Sequence, residues 1–139
     1  MILSEPNNSI DTIRFSVFVI MYGNAEIEIK GQKELTQLSI YAGPDGNTSL
    51  AEFYEYPVRE FGAILRDLQD VVTWDEGAED ITESVTGWAI SFYSGQTGDV
   101  VRSYSSSDIS SKSYEQASKI LVSRFPETAM LEEFADEVG

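Results

Sequence analysis

A chain of 139 residues with 24 acids against 9 bases carries a net charge of −15. Such a chain is repelled by nucleic acid and by anionic lipid, both of which are bound through Lys and Arg. It has no cysteine and no histidine, which excludes disulfides, zinc sites of the usual ligand types, and Ser-His or Cys-His nucleophile pairs.

With 42% hydrophobic and 24% charged residues, the composition is that of one folded domain with a real core. Residues 1–11 read as a loose start without the basic region of a signal peptide. The longest apolar stretch, Phe15 to Tyr22, is far below the ~18 residues of a membrane span. A cytoplasmic protein with no membrane partner is expected.

Thr12 to Tyr22 alternates. Ile13, Phe15, Val17, Val19 and Met21 share one face, and Arg14, Ser16, Phe18, Ile20 and Tyr22 the other. That pattern predicts a central strand, covered on both sides from Phe18 onward. Gly23-Asn24 signals a two-residue turn. Ala25–Lys30 sets Ile27 and Ile29 against Glu26, Glu28 and Lys30, which reads as an outer strand with one wet face. Leu35–Ala42 and Thr48–Tyr56 form a second hairpin around Pro44-Asp45-Gly46, where proline presets φ and glycine accepts a positive φ.

Pro57 to Trp74 reads as the one long amphipathic helix, with Val58, Phe61, Leu65, Leu68 and Val72 on one stripe. Pro57 suits its first turn and Gly77 its end. Val85–Tyr93 and Val100–Tyr104 make a third hairpin. Ser113, with Gln116 three residues on, caps a helix that turns Tyr114, Ala117, Ile120 and Leu121 inward as far as about Phe125. Pro126 then opens a closing helix carrying Met130, Leu131, Phe134 and Val138.

The expected fold is α+β: a single domain over residues 1–139, with an antiparallel sheet of about six strands in three hairpins. Helices cover it mainly on one face, in the order ββββ-α-ββ-αα. Segments 39–46 and 91–98 line up at an offset of 52 residues. They are either a decayed ββα duplication or one hairpin solution reached twice.

No nucleotide-binding glycine loop is present, and Asp45-Gly46-Asn47 lacks the further oxygen ligands of a calcium loop. A carboxylate pair is the remaining catalytic option, and with 24 acids chance pairs carry no specificity. We therefore expect no enzyme activity, no cofactor and no metal. The expected function is that of an acidic binding protein that neutralises a basic protein partner. An immunity protein for a nuclease toxin in a bacterial cytoplasm, or a phage-type inhibitor mimicking nucleic-acid charge, would be examples. The alternatives are a structural or assembly protein acting through strand edges or aromatic patches, and a small carboxylate-based enzyme or ligand binder.

The expected contact surface is the acidic run Asp75, Glu76, Glu79, Asp80 and Glu83, with Trp74, Trp88 and Tyr93 as aromatic anchors. The closing helix supplies a secondary acidic face of Glu127, Glu132, Glu133, Asp136 and Glu137. Changing Asp75, Glu76, Glu79 and Asp80 together to Asn or Gln should leave the circular dichroism spectrum unchanged, since exposed acids contribute little to stability. It should slow association with the partner in surface-binding kinetics. Unchanged binding by that variant, with loss in a matching set at Glu132, Glu133, Asp136 and Glu137, would move the contact to the closing helix.

Overall fold

The alternation in Thr12–Val19 decides the architecture. Ile13, Phe15 and Val17 are buried, Arg14 is exposed, and Thr12 and Ser16 are half-buried. β-branched and aromatic side chains at a period of two suit a strand with one dry face. The computed structural model describes residues 10–19, 23–43, 49–69, 71, 85–94, 98–108 and 112–129. Its elements are β1 (Thr12–Val19), β2 (Gly23–Gly31), β3 (Leu35–Gly43), β4 (Ser49–Pro57), α1 (Arg59–Leu68), β5 (Thr86–Tyr93), β6 (Val100–Ser106) and α2 (Lys112–Arg124), followed by a 3-10 turn at Pro126–Ala129. All six strands form one antiparallel sheet in the order β4-β3-β2-β1-β5-β6. The α+β fold and the central place of β1 are as the alternation predicts.

The register builds the core in rows across the sheet. Phe15 lies opposite Ile27 and Ile90, in line with Ile40 and Tyr104. Ile13 aligns with Ile29, Leu38 and Phe92, and Val17 with Ala25 and Trp88. Phe61, Ile64, Leu65 and Leu68 of α1 and Tyr114, Ala117 and Leu121 of α2 join these rows in one buried cluster. The Tyr114 ring meets Phe15 at 5.8 Å and Trp88 at 5.6 Å. Each large apolar side chain buried this way is worth about 1.5–3 kcal/mol. The opposite face is polar, with rows Phe53–Ser39–Glu28–Arg14–Ser91–Ser103 and Tyr41–Glu26–Ser16–Ala89–Ser105. Among the described residues no helix covers it.

The strand order is symmetric about the β1–β2 junction. The two outer hairpins, β3–β4 and β5–β6, each lead into a helix. Both shift register at the same aligned place, between Ile40 and Tyr41 and between Phe92 and Tyr93. The described parts of the repeated segments in the sheet, 39–43 and 91–93, thus occupy equivalent positions.

α1 starts on a tertiary cap. Val58, at its N-cap, offers no side-chain hydrogen bond. The buried Thr36 hydroxyl of β3 accepts from the Phe61 N–H at 3.2 Å and donates to the Pro57 carbonyl at 3.0 Å, satisfying a donor that a helix start leaves open. Phe61 lies directly over Gly31 at the end of β2, where an added Cβ would come within 2.6 Å of Cγ of the ring.

Several local expectations differ from the structure. Gly23 and Asn24 are not a turn, because they pair with Val19 and Phe18 inside the β1–β2 ladder. β2 is not an outer strand, and its Glu28 is only 7% exposed because bases cover it. Val58 is 47% exposed at the helix start, and Ile64 takes the core place instead. α1 is shorter than expected: Pro57 belongs to β4 rather than to the first helical turn, and the helix ends at Leu68, where Gln69 is the C-cap and the Gln69 and Val71 N–H groups donate to the Arg66 and Leu68 carbonyls in a tightened last turn. The expected stop at Gly77 and the turn at Pro44-Asp45-Gly46 lie outside the described residues. α2 ends at Arg124, and Pro126–Ala129 forms a 3-10 turn rather than a first α-helical turn. The Phe125 carbonyl accepts from both the N–H and the hydroxyl of Thr128 at 2.9 and 2.8 Å. The rest of the expected closing helix, from residue 130 on, lies outside the described residues.

Gly31→Ala should destabilise the protein by ~1–3 kcal/mol, the usual range for overpacking, in urea unfolding at neutral pH. Because the clash is with one ring, Gly31→Ala added to Phe61→Leu should cost clearly less than the sum of the two single changes. Additive costs would place the strain elsewhere.

Candidate partner-binding site

β4 ends the sheet. It pairs with β3 on one side, and among the described residues no strand pairs with the other. Alternation splits its side chains. Glu52, Tyr54 and Tyr56 share the helix-covered side with Ile40, Leu38 and Thr36, while Phe53 and Glu55 point to the open side. Phe53 is 47% exposed.

The tyrosines are positioned by carboxylates. The Tyr54 hydroxyl donates to Glu52 at 2.6 Å, and the Tyr56 hydroxyl donates to Glu127 in the 3-10 turn. The Tyr56 ring also stands edge-on to the buried Phe125, with centroids 4.7 Å apart and planes at 85°. Burial, and then the hydrogen bond to Glu127, push the Tyr56 phenol well above its ordinary value. The hydrogen bond to Glu52 does the same for Tyr54, with burial second. Among the described residues none of Glu52, Glu55 and Glu127 is in an ion pair.

Arg14, Lys30, Arg59, Lys119 and Arg124, by contrast, are engaged in ion pairs. Arg14 meets Glu28 through Nε and Nη2, both at 2.9 Å, and Lys30 approaches the same carboxylate at 3.7 Å. The Arg14 guanidinium also stands over the Tyr93 ring, 5.1 Å from its centre. Arg124 joins α2 to α1 by reaching Asp67 at 2.9 Å and Glu60 at 3.2 Å. Lys119 is held by Glu115 at 2.9 Å. Among the described residues no group of three or more acids is placed to hold a metal ion.

The expected site residues fare differently. Trp74, Asp75, Glu76, Glu79, Asp80 and Glu83 lie outside the described residues, and so do Glu132, Glu133, Asp136 and Glu137. Trp88 is fully buried between Phe15, Tyr104 and Tyr114. It is a core residue, because its parity on β5 is that of Ile90 and Phe92. Tyr93 has the opposite parity and sits half-buried on the open face, so the structure does not bring these two aromatics together. Glu127 lies in the 3-10 turn, not in a closing α-helix, with its carboxylate against the Tyr56 hydroxyl.

Sequence reasoning missed the β4 edge. Local sequence held only a partial signal: Glu52-Phe53-Tyr54-Glu55-Tyr56 carries two charges and runs into Pro57, features that an edge strand tolerates but that do not by themselves assign one.

A phenol whose pKa is raised by folding holds its proton more tightly in the folded than in the unfolded chain. Its stabilisation is complete below the ordinary value of about 10 and is lost as pH rises through the folded value. The unfolding free energy should therefore fall with pH above about 10, and more steeply in the parent than in Tyr56→Phe. At neutral pH Tyr56→Phe should cost about 1 kcal/mol for the lost hydrogen bond. Urea titrations across alkaline pH compare the two, and parallel curves would mean that Glu127 does not hold this hydroxyl in solution.

No family model matches the chain, and no curated protein or solved structure shows a significant match to it. What it does is therefore argued from its charge and its surfaces.

Proposed function

We propose that this chain is a non-enzymatic acidic binding protein that neutralises a basic protein partner. An immunity protein meeting a nuclease toxin in a bacterial cytoplasm, or an inhibitor that imitates nucleic-acid charge, works on this chemistry. The observation that carries the reading is the distribution of charge. The chain has 15 more acids than bases, and Arg14, Lys30, Arg59, Lys119 and Arg124 all sit in ion pairs within the fold. The acidic surplus is left for the surface. Among the described residues Glu52, Glu55 and Glu127 are part of it; in the sequence, the run Asp75–Glu83 carries five more carboxylates. Direct binding to nucleic acid or to an anionic membrane is opposed by the same charge.

A second reading, assembly through strand edges, is favoured by one observation, the outer side of β4 with its exposed Phe53. The absence of any base from Ser49–Pro57 weighs against self-assembly there, since two such strands repel.

Steering by surface charge raises association rates and is screened by salt. The chain, immobilised and exposed to native lysate, should capture a basic protein whose association slows by at least about tenfold between low and physiological ionic strength, as electrostatically steered pairs do. Its dissociation should change much less. A captured partner without a basic surface, or one whose association ignores salt, would overturn the reading.

A further inference from the structure

We propose that β4 is a docking edge, and that the basic partner adds an extended segment along Glu52–Tyr56 as a seventh strand. This rests on the basic-partner reading above and names where and how that contact is made. The outer side of β4 presents backbone N–H and C=O groups that β3 does not use, a template for another strand. Glu52 to Pro57 stay in unbroken register with Ile40 to Leu35 up to the shift at Ile40/Tyr41, so this stretch is regular. Pro57, which has no N–H to give, ends it.

The side chains of the edge select the occupant. Ser49–Pro57 holds Glu52 and Glu55 and no base, and Glu127 is held against Tyr56. A second copy of this chain would lay acids along acids. A segment bearing Lys or Arg meets three carboxylates that no base within the described fold neutralises.

Alternation sets the spacing. Partner residues beside Glu52 and beside Tyr56 fall on the helix-covered side, four positions apart, the second within reach of Glu127. The residue beside Glu55 points to the open side, two positions from the one beside Phe53. The matching segment therefore carries bases beside Glu52, Glu55 and Tyr56, and an apolar residue that covers the exposed Phe53 ring. β6, at the other edge, does not make this selection, because Val100–Ser106 holds Arg102 and no acid.

The test is a selection of short random peptides displayed against the full-length chain, followed by NMR titration of the selected peptides. Enrichment of Lys and Arg at the stated spacing, amide shifts centred on residues 52–56, and loss of binding when proline is placed at alternate peptide positions would support the docking edge. Glu52→Lys with Glu55→Lys should weaken binding by about tenfold or more. An equal charge change at the exposed Asp99→Lys, beside β6 at the opposite edge of the sheet, and Glu115→Lys on α2 should leave it within about twofold, as charges remote from the contact do. Basic peptides that shift other residues, tolerate proline, or respond equally to both variants overturn the docking edge and leave the basic-partner reading standing. Enrichment of peptides without bases overturns both. A selection that enriches nothing also overturns the docking edge, because an open edge with a complementary rim captures extended basic sequences.

Discussion

Everything in this molecule follows from one dry sheet face. Phe15, at the centre of β1, lies between Ile27 and Ile90, and Trp88 and Tyr114 pack against its ring. Apolar side chains at every second position leave one surface that must be covered. α1 and α2 cover it, each through its own apolar stripe. The second face and the two outer strands are then left to polar and amphipathic residues. The surfaces open to a partner are those which the core does not need.

Charge is divided along the same line. Three of the bases act as ties between neighbouring parts of the fold. Arg14 and Lys30 neutralise Glu28 in the middle of the open face, and Arg124 holds α1 and α2 together at Glu60 and Asp67. Partly exposed pairs like these add little stability each, but they fix which carboxylates are occupied. Tyrosine hydroxyls, not bases, position Glu52 and Glu127. A phenol donates a hydrogen bond without bringing a positive charge, so these acids are oriented without an ion pair among the described residues.

Period and parity were legible in the sequence, and partners were not. The dry face of β1, the hairpin strands and most of the α1 stripe could be read from spacing alone. Glu28 was misread because an acid between isoleucines looks like a solvent position. The bases that cover it are Arg14, on the neighbouring strand, and Lys30, two residues along β2 on the same face. Val58 matched the helical stripe in spacing yet precedes the first helical turn, whose cap comes from Thr36 in another strand. Trp88 was taken for a surface anchor from its residue type, although its parity with Ile90 and Phe92 already put it inside. The charges and the terminal proline of β4 are compatible with an edge. That it lies at the border of the sheet is a fact of strand order, which no local pattern encodes.

The symmetric strand order has a consequence for how the chain comes to be folded. β1 to β4 are a meander of neighbours, but the other side of β1 waits for β5, with Thr12 opposite Tyr93, 81 positions later (93 − 12). Such long-range ladders close late. Until then the nascent protein exposes the flank of its most apolar strand, the situation in which chains stick to one another. The segment synthesised just before β5 is the one with five acids and no base, Asp75 to Glu83. Like charge on every copy of that intermediate keeps the copies apart while the last hairpin is made.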